Sequence, residues 1–226
     1  MNLTKILLCT IIMFALSSMD AMAQNNREFE QLSTLNRIKP LQNPEFDRVE
    51  KVLDRKILDR KNKVVGTVQD VILNQNGTIS GINTEFDRLR LGNLVSLNFR
   101  ALRIRTTSDA YQMNMDADEI ADMYPRLLAD IETASGRNNV TFSTRAIIGS
   151  SLRSSDGRRL GKVENVLFGA DGGIASAIYA KLSYGTLRGE TVAVPFRNVE
   201  FKYERGRLSG TVSRGLANAM FEIADD

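Results

Sequence analysis

The stretch Val64–Gly77 reads VVGTVQDVILNQNG, and the stretch Arg159–Gly172 reads RLGKVENVLFGADG. Laid over one another, they put Gly66 on Gly161, Val68 on Val163, Val71 on Val166 and Gly77 on Gly172, after which Ile79 falls on Ile174. Further along, Val95-Ser-Leu-Asn-Phe-Arg100 meets Val192-Ala-Val-Pro-Phe-Arg197 once two residues are added to the second copy. A spacing of about 95 residues is far too long for a solenoid repeat and suits a small domain. Two folding units are therefore expected, residues 51–115 and 140–226.

Each unit reads as β. Asn76-Gly77 and Asp171-Gly172 lie between β-branched runs, and both dipeptides tolerate the positive φ of a type I′ hairpin turn. Apolar residues alternate at Val95, Leu97 and Phe99, and again at Val192, Val194 and Phe196, as in strands with one buried face. Leu102 and Ile104 continue the first copy as a strand that points Arg103 and Arg105 outward; Val199, Phe201 and Tyr203 continue the second. Arg205-Gly206 marks a further turn before Leu208–Val212. The period breaks once in each copy. Val68 and Val71, like Val163 and Val166, stand three apart, so a bulge is expected there, with Asp70 or Asn165 bonding the freed backbone.

Five or six short strands in about 75 residues point to a small closed or nearly closed barrel. Residues 116–136 read as an amphipathic linking helix, with Ile120, Tyr124, Leu127 and Ile131 on one face and acidic residues in the first turn. A shorter helix, Arg214 to Ile223, ends the second unit. Residues 24–50 are polar, carry Pro40 and Pro44, and read as an extended or partly helical N-terminal arm. The fold class expected is mainly β, two small barrels in tandem joined by a helix.

Residues 1–23 have the pattern of a cleaved signal peptide: Lys5, an apolar run from Ile6 to Leu16, and Ala21-Met-Ala23 before Gln24. The run is too short to span a bilayer, which needs about 20 residues. A periplasmic location is expected, with no membrane span left after cleavage. Cys9 is the single cysteine, so the mature chain would hold no disulfide and would rest on its apolar core. The sequence also has no histidine. Without His and mature Cys the chain lacks the commonest general base, the best thiol nucleophile and the usual zinc ligands. No enzyme activity, cofactor or metal is expected. Asp116-Ala-Asp118-Glu119 lacks the central Gly and terminal Glu of an EF-hand loop. The formal charge of +3 is spread among mixed signs, unlike the concentrated basic footprint of a nucleic-acid binder.

Asp156–Val166 (DGRRLGKVENV), the hairpin Ala170–Gly173 and Val192–Phe196 (VAVPF) together resemble the PRC-barrel family, which includes the photosynthetic reaction centre H subunit and the C-terminal domain of the ribosome maturation factor RimM. Residues 143–222 carry the resemblance best. The copy at 51–124 departs from it: Lys61-Asn62-Lys63 replaces the Asp-Gly turn and Asn98 replaces the proline. The resemblance implies six-stranded SH3-like barrels without a common catalytic residue, used as binding or assembly modules.

The expected function is that of a non-catalytic periplasmic interaction or assembly module, its partner another envelope protein or a second copy of itself. The alternative is a binder of anionic envelope components, lipid head groups or cell-wall polymer, through Arg88, Arg90, Arg100, Arg103 and Arg105. Tyr179 and Tyr184 are candidate contact residues, since tyrosine is favoured at interfaces. Gly66, Asn76, Gly77, Gly161, Asp171 and Gly172 are assigned to turns and close backbone approaches.

Overall fold

The computed structural model describes residues 26–86, 95–98, 102–107, 109–116, 118–119, 122, 141–169, 173–183 and 189–225. The chain opens with helix α1 (26–37), strand β1 (Phe46–Arg48) and helix α2 (Val49–Leu53). Six strands follow: β2 (Lys56–Leu58), β3 (Val64–Asn74), β4 (Ile79–Phe86), β5 (Val95–Asn98), β6 (Arg105–Thr106) and β7 (Ala110–Gln112). Strand β8 (Thr141–Ser143) and helix α3 (Thr144–Ile147) lead into β9 (Ser151–Ser154), β10 (Arg159–Gly169), β11 (Ala175–Leu182) and β12 (Thr191–Pro195). A 3-10 turn (Phe196–Asn198), β13 (Glu200–Glu204), β14 (Arg207–Val212) and helix α4 (Arg214–Asp225) complete it.

These strands form two curled sheets with the same order. One runs β5-β4-β3-β2-β7-β6 and the other β12-β11-β10-β9-β14-β13. In each, the last long hairpin returns to lie parallel to the first strand, β7 on β2 and β14 on β9. Among the described residues neither sheet is closed by a hydrogen-bonded ladder; the 3-10 turn carries the chain from β12 to β13. The architecture is thus β-barrel-like, and among the described residues the second sheet is open at that corner.

The seventh strand of each sheet comes from the other half. β1 pairs with β10 (Phe46 opposite Gly169, Asp47 opposite Phe168, Arg48 opposite Leu167), and β8 pairs with β3 (Thr141 opposite Asn74, Phe142 opposite Leu73, Ser143 opposite Ile72). The two registers are equivalent residue for residue. β3 and β10 each accept two partners on one edge. β2 takes the first part of β3 and β8 the last part; β9 and β1 divide β10 in the same way. Helices α2 and α3 are the crossings from one sheet to the other.

The bulges expected from the three-residue spacing are present between Val68 and Asp70 and between Val163 and Asn165. They lie where the long strands change partner, and they bring Val68, Val71, Val163 and Val166 all into the core, each at most 2% exposed. A bulge adds a residue and bends the strand, which is what a change of partner along one edge requires.

Three local expectations are corrected. At Asn76-Gly77 only Gly77 has positive φ (84°), and Asn74 donates its N–H to the Thr78 carbonyl, so the loop is a three-residue turn ending in a left-handed glycine, not type I′. Arg205 and Gly206, with φ of 50° and 76°, form the two-residue turn with positive φ at both positions. Secondly, Ile79 sits opposite Leu73 while Ala175 sits opposite Phe168, so the second hairpin is one residue longer and Ile79 corresponds to Ala175 rather than to Ile174. Ile174 is accordingly 44% exposed where Ile79 is buried. Thirdly, Leu102 and Arg103 lie in a turn, Arg103 with φ of 48°, and the strand begins only at Arg105. The outward stripe of arginines on a single strand is therefore not formed.

Gly66 and Gly161 serve close approach. A Cβ on Gly66 would lie 2.5 Å from the Glu85 carbonyl oxygen, and one on Gly161 2.0 Å from that of Lys181. The linking helix lies almost wholly outside the described residues. At its start, Asp116 accepts from the Glu119 N–H (3.1 Å) while Glu119 accepts from the Asp116 N–H (2.7 Å). The acidic cluster is thus a reciprocal capping box. The Glu119 N–H, foremost, holds the Asp116 carboxyl below its ordinary range, with Lys61 and Arg60 adding to the effect against desolvation.

Candidate functional site

The surface beside the second bulge carries a groove of about 910 Å³. Its floor is the outward face of the paired strands β10, with Arg159, Lys162 and Glu164, and β11, with Tyr179 and Lys181. Leu41 and Arg48, from the chain before α2, close one end, while Ile148 and Gly149 follow α3. Both halves of the sequence therefore build it. The bulge makes Glu164 and Asn165 consecutive outward residues, where a regular strand would turn one of them inward.

Among the described residues that line it, four are cationic, Arg48, Arg159, Lys162 and Lys181, and one is a carboxylate, Glu164. Glu164 is held by Lys181 at 3.4 Å, and Arg48 donates to the Leu41 carbonyl at 3.3 Å. Arg159 and Lys162 have no ion-pair partner among the described residues. The Tyr179 hydroxyl, half-buried, accepts from the Thr191 hydroxyl at 3.0 Å. Asn165 Oδ1 accepts from the Val49 N–H (3.2 Å) and its amide donates to Glu50 (2.9 Å), so it caps α2 across the boundary between halves. Such a groove can attract and orient an anion. No group of three His, Cys, Asp or Glu side chains able to hold a metal ion occurs among the described residues.

Asp70, at the corresponding bulge of β3, meets the start of α3 in the equivalent way and bonds its own backbone as well. Its carboxylate accepts from its neighbour's N–H at Val71 (2.9 Å), from the Thr144 hydroxyl (2.7 Å), from the Ser143 hydroxyl and weakly from the Arg145 N–H. It is buried and fully occupied in holding α3 onto the first sheet. The expected backbone bond is thus made by Asp70, and both side chains also hold the crossing helix of the other half, Asp70 on α3 and Asn165 on α2.

Residues 139–209 match the family model of the PRC-barrel domain. No curated protein matches the chain. The PRC-barrel match begins just before β8 and ends inside β14 at Ser209, so it contains β8, which pairs into the other sheet, and leaves out β1, which completes its own. It covers Tyr179, Gly161 and most of the groove.

Of the other candidates, Arg88, Arg90, Arg100, Tyr184, Asp171 and Gly172 lie outside the described residues. Arg103 and Arg105 are exposed, in the turn and strand described above. Tyr179 is brought into the groove. Gly77 does more than turn the hairpin: a Cβ there would lie 2.4 Å from the Ala175 carbonyl oxygen of the second sheet, and the Ala175 N–H donates to the Gly77 carbonyl at 2.9 Å. Sequence reasoning missed Arg48, Arg159 and Lys162 as groove residues. Their only signal was charge on outward positions of β1 and β10, and most such residues simply face solvent.

Proposed function

We propose that the chain is a non-catalytic, exported interaction or assembly module whose two halves are both PRC-barrel-like and act as one body. The observation that carries this reading is the reciprocal exchange of β1 and β8, which binds the halves through each other's sheets. Two side-chain amides add to it by covering the edges of the second sheet. Asn36 of α1 donates to the Ala193 carbonyl (2.9 Å) and accepts its N–H (2.8 Å) on β12, while Gln75 donates to the Val199 carbonyl (2.6 Å) and accepts the Phe201 N–H (3.2 Å) on β13. Covered edges discourage indiscriminate strand pairing, which leaves side-chain surfaces such as the groove for a specific partner.

The test is crosslinking of the full chain in the cells that make it, followed by identification of the adducts. A discrete envelope protein is expected. Adducts confined to lipid or cell-wall polymer would favour the anionic-surface reading instead, for which exposed Arg103 and Arg105 remain the described candidates.

A further inference from the structure

We propose that the groove over the β10–β11 face, bordered by Leu41, Arg48 and Ile148, is a docking site for an acidic, extended peptide segment of a partner protein. The proposal rests on the interaction-module reading above and names what the module would recognise.

Three features point to that occupant. Charge comes first: among the described residues four cations stand against one carboxylate, Glu164 is already engaged by Lys181, and Arg159 and Lys162 have no ion-pair partner. Shape comes second. An open cleft of about 910 Å³ takes a segment of chain, with its four cations exposed along it. Lining comes third. Leu41 and Ile148, both partly exposed, give the groove apolar patches beside the charges, and Tyr179 offers a ring with its hydroxyl tied back to Thr191. A peptide of mixed acidic and apolar residues satisfies both kinds of surface; a purely polyanionic polymer satisfies one. Tyr and Arg are also the side chains enriched where proteins bind proteins.

The groove is held in place before anything binds. Asn165 is fixed by the α2 N-terminus and Glu50, and Arg48 sits on a strand paired to β10. Preorganisation of this kind lowers the ordering cost of binding.

The test uses the full mature chain and a fluorescein-labelled peptide of alternating Glu and Leu, with an alternating Lys and Leu peptide as control. Anisotropy is expected to show binding of the acidic peptide only, weakening as salt rises. The double variant R159E/K162E should weaken it by roughly 10-fold or more, since two exposed pairs are lost and each reversal adds repulsion. K202E/R207E, on the distant β13–β14 hairpin, should bind as the parent does. Equal binding by parent and R159E/K162E, equal binding of the basic peptide, or binding to phosphatidylglycerol vesicles without binding to the acidic peptide would each overturn the proposal. Should R159E/K162E melt lower than the parent, single variants R159Q and K162Q supply the comparison. In cells, a protein adduct unchanged by R159E/K162E overturns the groove assignment alone. The absence of any protein adduct overturns the module reading with it.

Discussion

Asp47 and Arg55 show how a single residue can decide which half owns a crossing. Asp47 sits on β1, hydrogen-bonded into the second sheet, yet its carboxylate meets the Arg55 guanidinium at 2.7 Å, and both are at most 3% exposed. Arg55 also donates to the Thr107 carbonyl (3.1 Å) and lies over the Tyr111 ring, 5.4 Å from its centroid, so the pair reaches back into the first half. Removing one partner of such a pair leaves a buried charge uncompensated, at a cost of about 3–5 kcal/mol. Asp47→Ala is therefore expected to lower the chain's stability by about that amount in denaturant unfolding, whereas Lys51→Ala, which loses a mostly exposed contact to the same carboxylate, should change it by under about 1 kcal/mol. Equal losses from the two variants would show that burial of the pair does not control stability. Neither partner was singled out by the sequence. Arg55 lay in a run of mixed charges whose ordinary reading is a solvated face, and only folding buried it.

At the scale of elements, the long bulged strands and the crossings they accept form the working unit. The position that carries Asp47 on β1 carries Phe142 on β8, as the equivalent registers require. Phe142 is fully buried and packs its ring on Phe201 (centroids 5.7 Å apart) and Tyr203 (6.0 Å), both on β13 of the second sheet. One crossing is thus closed by an ion pair and the other by an aromatic cluster. Phe142→Ala should cost about 3–5 kcal/mol, the range for truncating a buried aromatic ring. Phe142→Leu should recover most of that loss, and a failure of Leu to do so would implicate ring stacking over volume. The bulge itself was legible beforehand, because two valines three apart cannot both face the core of a regular strand. What the bulge accommodates was not legible. The partner strands β1 and β8 are three residues long, and Phe-Asp-Arg or Thr-Phe-Ser carries no alternation long enough to register as a strand.

For the molecule as a whole, the exchange bears on how the chain can be divided. A fragment of residues 140–226 keeps every strand of the second sheet except β1, and its own β8 has lost β3. It also loses α1, whose buried Leu32 and bonded Asn36 cover β12. The fragment is expected to melt well below a chain of residues 24–226 and to regain stability when residues 24–136 are added in trans; equal melting temperatures would mean that each half is complete alone. The boundary drawn at residue 50 falls inside α2, for the same reason. The sequence by itself determined the β class, the repeated strand pattern, the bulges and the apolar residues of the core, since these follow from local spacing and from backbone geometry that few residues tolerate. Tertiary structure alone decided which half each short strand joins, which charges are buried, and where cations gather into a groove. Those outcomes depend on pairings between residues far apart in the chain, and no local pattern encodes them.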